Sequence, residues 1–107
     1  MPDVMAEIEE LKKKLQQNPD SLIFVPLADA YRRAGMLDEA IEICKKGLEK
    51  HQSYTSARVV LGRIYSEKNM IDDAIAELKK VEAVDMDNIM VHSMLGNAYL
   101  KKKRYAE

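Results

Sequence analysis

The chain has 107 residues, a third of them charged, with a formal net charge of −1. That length suits one compact unit or a short array, and that charge balance gives no global pull toward nucleic acid or acidic membranes. The single Cys44 excludes an internal disulfide and fits a reducing compartment. No stretch is apolar enough to span a bilayer, and the start, MPDVMAEIEELKKK, lacks the apolar core of a signal peptide. A soluble, cytoplasmic protein is expected, although a folded domain cut from something larger would read the same way.

Taken in order, residues 3 to 17 form the first expected helix. Asp3 can cap its start, Asn18-Pro19 ends it, and Ile8, Leu11 and Leu15 make a narrow apolar stripe. Asp20 or Ser21 then caps a helix running to about Ala34, which Gly35 can end in a left-handed conformation. Pro26 requires that this helix begin near Ile23 or bend there, because proline has no N–H and crowds the carbonyl four residues back. Asp38 is expected to cap the partner helix, Glu39 to about Lys50, with Ala40, Ile41, Cys44 and Leu48 facing inward. The next pair runs from about Thr55 to Lys68 and from about Ile71 to Val84, with Asn69 in the place of Gly35. A last helix spans about Asn88 to Lys102, and the short connections make successive helices antiparallel neighbours.

The elements repeat. FVPLADAYRRAGMLDEA, from Phe24, returns 34 residues later as RVVLGRIYSEKNMIDDA, from Arg58, and begins again as HSMLGNAYLKKKRYAE, from His92. Leu27, Leu61 and Leu95 fall in register, as do Tyr31, Tyr65 and Tyr99, with Ala28, Gly62 and Gly96 beside the leucines. Small residues there let two helices approach closely, and the leucines and tyrosines fill the remaining space. IEELKKKL, from Ile8, also resembles IEICKKGL, from Ile41. The first helix is therefore either the second helix of an incomplete repeat or an amphipathic cap.

The pattern W-x2-L-G-x2-Y followed by A-x3-F on this period is that of the tetratricopeptide repeat, and the sequence resembles that family. Phe24, Leu27, Ala28 and Tyr31 with Ala40 and Cys44 carry the first match, and Arg58, Leu61, Gly62 and Tyr65 with Ala74 and Leu78 the second. His92, Leu95, Gly96 and Tyr99 carry the half that follows. The chain has no tryptophan, Cys44 and Leu78 replace the aromatic, and Gln52 and Met86 stand where a proline is common. The resemblance implies an all-α fold, a right-handed superhelical stack of antiparallel helix pairs. Its expected parts are a leading helix (1–18), repeat 1 (21–54), repeat 2 (55–88) and the first half of repeat 3 (89–107).

In proteins similar to this one, the first helices of the repeats line a concave groove that holds a peptide. Here the corresponding stripe runs Leu22, Val25, Asp29, Arg32, Arg33, then Ser56, Val59, Arg63, Ser66, Glu67, then Met90, Ser93, Asn97, Lys101. Spacings of three and four put each set on one helical face. Arg32, Arg33, Arg63 and Lys101 outnumber Asp29 and Glu67 by two charges. That excess favours a protein or peptide partner with acidic residues or a free carboxylate, against the plainer reading of a solvated face. The lysine and asparagine pattern by which some relatives grip chaperone C-terminal carboxylates is not reproduced. Val25 and Asp29 occupy two of its places, and a chaperone partner is not expected.

Other chemistry finds no support in the residues. His51 and His92 lie on different repeats with no HExxH or CxxC spacing, and no glycine-rich phosphate loop exists. Neither an enzyme nor a metal or cofactor is expected, and Cys44 reads as a small buried hydrophobe. The basic run Lys101 to Arg104 is a solvated helix end rather than a nucleic-acid patch. The third repeat stops early, so Met94, Leu95, Ala98 and Tyr99 are expected to lack cover and to drive self-association. The expected function is a scaffold for protein–protein interaction, with self-assembly through exposed terminal helices as the alternative.

Overall fold

A computed structural model describes residues 3–106; Met1, Pro2 and Glu107, the outer ends of the expected domain, lie outside the described residues. Among the described residues six helices follow one another: α1 (Val4–Gln17), α2 (Phe24–Arg33), α3 (Leu37–Lys50), α4 (Thr55–Glu67), α5 (Ile71–Val84) and α6 (Ile89–Ala106). Each packs on the next, and α4 also touches α2 and α6. Between α1 and α3, and between α3 and α5, there is no close backbone contact. The array is therefore curved, 45 × 28 × 23 Å, with α2, α4 and α6 on its inner side.

Local chemistry sets the helix ends. The Asp3 carboxylate accepts the Met5 N–H at 3.0 Å, one of the donors a helix start leaves unpaired. α2 opens at Phe24 without a side-chain cap, while Ser21 Oγ accepts the Ile23 N–H just before it. Pro26 thus falls in the first turn, where its missing N–H costs no internal bond, so no bend is needed. Gly35 (φ 77°) closes α2 as the Met36 N–H reaches the Tyr31 carbonyl and its own N–H reaches Arg32. Asn69 (φ 63°) closes α4 with the same two bonds, from Met70 to Tyr65 and from Asn69 to Ser66.

Asp38 does not cap α3. α2 ends at Arg33 with Ala34 as its C-cap, and Met36 holds the N-cap position of α3, so α3 opens at Leu37, ahead of Asp38. Asp38 sits inside the first turn, where a negative charge suits the helix dipole, and pairs with Lys68. At α6, Asn88 Oδ1 accepts the Val91 N–H, and the helix runs past Lys102 to Ala106.

The core has two parts. Ile8, Phe24, Leu27, Tyr31, Cys44, Leu61 and Tyr65 belong to one, which spans α1 to α4 and reaches Ala74 on α5. Val59, Leu78, Val81, Val91, Leu95 and Ala98 belong to the other, joining α4, α5 and α6. Leu27 and Leu61 are almost wholly enclosed, each contributing about 1.5–3 kcal/mol relative to an exposed leucine. Gly62 allows the close approach of α4 to α5: a Cβ there would stand 3.0 Å from the Leu78 side chain. Gly96, its counterpart on α6, faces open space instead.

Two residues expected to be uncovered are not. Leu95 and Ala98 are buried because their face of α6 turns toward α5, and Met94 is partly buried against the same cluster. The open side of α6 lies elsewhere, where Ile89, Tyr99 and Leu100 are exposed. Tyr99 is 44% exposed, whereas Tyr31 and Tyr65 are each 7% exposed.

Candidate peptide-binding groove

The inner helices α2, α4 and α6 present their C-terminal halves side by side, and a cavity of about 580 Å³ lies among them. Of the residues expected to line a groove, it gathers Arg32, Arg63, Glu67, Asn97 and Lys101, with Ser66. Val25 is half-buried against the first core cluster, and Ser93 is exposed outside the cavity lining. Val59 is no surface residue: it packs in the core with α5 and α6. Asp29 and Arg33 stand beside the cavity, joined to Arg32 in one ionic network.

That network redistributes the expected positive charge. Arg32 donates to Asp29 at 2.9 Å and to Glu67 at 2.8 Å, tying α2 to α4. Arg33 donates to Glu7 on α1 at 2.7 Å and to Asp29 at 3.2 Å. Partial burial pulls the Asp29 carboxyl upward, but its bonds to Arg32 and Arg33 outweigh this and hold it below the usual carboxylate value. Burial likewise opposes the charge on Arg32, and its bonds to Asp29 and Glu67 prevail, raising its pKa.

Two of the four counted cations are therefore already engaged. Arg63, half-buried on the groove wall, has no ion pair or hydrogen bond among the described residues. Among the described residues, Lys101 reaches only Ser66 Oγ, at 3.4 Å. Arg104, two residues beyond the expected helix end, also lines the cavity. Its position follows Lys101 and Asn97 at helical spacing, so a longer α6 would have revealed it. Met94, assigned from sequence to self-association, lines the groove too, with Leu78 and Leu100. The wall thus combines an apolar floor with three cations, an arrangement able to seat a chain segment and fix a carboxylate.

The remaining chemistry-bearing side chains lie elsewhere. Cys44 is enclosed, with its Sγ 3.3 Å from the Ala57 carbonyl, and burial pushes its thiol up to about 12, far from a reactive thiolate. His51 contacts the Asp20 carbonyl and stacks on Phe24, while His92 sits beside Glu82 and the Met86 carbonyl. Among the described residues no three His, Cys, Asp or Glu side chains gather as metal ligands. No helix among them is long and apolar enough to cross a membrane.

A curved stack of helix pairs with a groove along its first helices defines a helical-repeat solenoid. The tetratricopeptide repeat family model matches residues 31–98, and the chain belongs to that family. It is 39% identical over 75 residues to the Protein STIP1 homolog of Dictyostelium discoideum, a match covering 64% of this chain and 13% of that protein. The chain thus spans only a small part of that relative.

Among solved structures, the first TPR of Spaghetti (RPAP3), bound to the HSP90 peptide SRMEEVD, superposes with a TM-score of 0.89 at 18% identity, covering 94% of this chain and 80% of that one. MamA follows with 0.87 at 24% identity, covering 94% and 60%. YrrB, described as a TPR protein with an unusual peptide-binding site, gives 0.80 at 24% identity, covering 90% and 50%. At these identities the likeness establishes the right-handed helical-repeat fold.

Proposed function

We propose that the chain is a protein-interaction module whose concave face, along α2, α4 and α6, holds a peptide or a segment of a partner protein. The ligand it prefers carries acidic residues or a free C-terminal carboxylate. The observation that carries this reading is Arg63, a guanidinium on the groove wall left without a partner among the described residues, with Lys101 and Arg104 beside it. Peptide sites in Spaghetti (RPAP3) and YrrB support the general role. Asp29 is already occupied by Arg32 and Arg33, and no chaperone tail is proposed as the ligand. A cytoplasmic setting suits the unpaired thiol of Cys44.

The test uses acidic heptapeptides made in two forms, with a free or an amidated C-terminus, titrated calorimetrically into the wild type and into Arg63→Ala/Lys101→Ala. The free-acid form should bind more tightly, and the double variant should lose about tenfold in affinity. Equal binding by wild type and variant would refute the carboxylate preference.

A second reading, self-association through α6, is favoured by the exposure of Ile89, Tyr99 and Leu100 and by the open space over Gly96. Light scattering from dilute to concentrated solution tests it. Mass should rise with concentration and fall back in Tyr99→Ser/Leu100→Ser. A constant monomeric mass would exclude it.

A further inference from the structure

A second cavity, of about 430 Å³, opens where α1 and α3 diverge on either side of α2, and it shares no lining residue with the concave groove. Its walls are apolar: Leu15, Phe24, Tyr31 and Ile43 contribute, with Pro19 at one end. Its rim holds Lys12, Lys46 and Lys50, and among the described residues no carboxylate lines it. Lys50 is engaged by Asp20 at 2.8 Å. Lys12 reaches Glu9 only at 3.8 Å, and Lys46 has no ion pair among the described residues.

The register-equivalent seam between α3 and α5 is built differently. There Arg58 stands for Phe24 and Glu77 for Ile43, and these two bond each other at 2.9 Å, so their charges are satisfied internally. The first seam instead combines an open apolar wall with cations left for a ligand. Its size and lining match those of sites that enclose a bulky apolar group and orient it with a few charges.

From this geometry we infer that the α1–α3 seam is a second docking site, for an acidic amphipathic peptide segment. A bulky apolar side chain of that segment sits against Leu15, Phe24 and Ile43, and flanking carboxylates meet Lys46 and Lys12. The inference does not depend on what the concave groove binds.

The protein has no tryptophan, so one can be introduced as a local reporter. Gln16→Trp places it at the exposed rim of the seam. The probe is an acetylated, amidated hexapeptide with two leucines flanked by glutamates, whose blocked ends remove any terminal carboxylate. A version flanked by lysines is the control. The glutamate peptide should shift the Gln16→Trp emission with saturation and the lysine peptide should not. Adding Lys12→Glu and Lys46→Glu, both at surface positions, should weaken the response about tenfold. Any of three results would overturn the inference: no emission change with the glutamate peptide, equal responses to both peptides, or a response indifferent to the two charge reversals.

Discussion

The seam around Phe24 and the seam around Arg58 occupy equivalent places in successive repeats yet are held together differently. In the first, the Phe24 ring lies where a Cβ on Gly47 would be, only 2.2 Å away, and stacks on His51. In the second, the position of Gly47 is taken by Val81 and the ring is replaced by Arg58, paired with Glu77 and bonded to the Gln52 carbonyl. The residues change as sets: a large ring demands a glycine, and a guanidinium demands a carboxylate. A repeat preserves backbone geometry while leaving each seam to solve its own packing, and that freedom lets one seam be closed by ions and the other remain an apolar cavity.

The largest expected effect comes from forcing the second solution piecemeal onto the first. Gly47→Val drives a side chain into the Phe24 ring and should cost about 3 kcal/mol in urea unfolding. Transplanting the whole set, as Phe24→Arg/Ile43→Glu/Gly47→Val, should recover part of that loss, and failure to recover any would break the idea that the residues act together. Gly62→Leu, which meets Leu78 at the α4–α5 contact, should cost about 2 kcal/mol. Gly96→Ala has nothing to meet and should instead stabilise by about 0.5–1 kcal/mol through helix propensity, read as a rise in melting midpoint.

Arg58→Ala leaves Glu77, 13% exposed in its side chain, with only Lys80 at 3.6 Å, and should cost about 1–2 kcal/mol. The smallest effect is pH-dependent. The folded-state pKa of Asp29 lies below its ordinary 3.8, so its contribution is complete above that value and is lost as pH falls through the folded value. The stability difference between wild type and Asp29→Asn should therefore be flat at neutral pH and shrink toward zero in strong acid, as followed by denaturant melts across pH.

Much of the fold was legible because close packing repeats with the sequence. The period placed α4 and α5 correctly, and it marked Asn69 as the equivalent of Gly35 because both must adopt positive φ. Asp38 misled because its residue type suits a cap, yet the N-cap position falls two residues earlier, at Met36, and Asp38 lies inside the first turn. The groove was legible as a helical stripe but not as an electrostatic surface. Pairs such as Arg32–Glu67 and Arg33–Glu7 join residues far apart in the chain, and nothing in local spacing announces them. Val59 carried the right spacing for the groove but points into the contact with α5 and α6. On α6, Leu95 and Ala98 were expected to be uncovered, but packing against α5 buries them and leaves Tyr99 exposed.

Whether the inner helices hold a carboxylate-bearing peptide can be read by amide chemical-shift mapping with an acidic peptide ending in a free carboxylate. Shifts are expected at Arg63, Ser66, Asn97 and Lys101, saturating together and weaker with the amidated peptide at the same concentration. Shifts confined to α3 and α5, or identical shifts from both peptides, would contradict that binding.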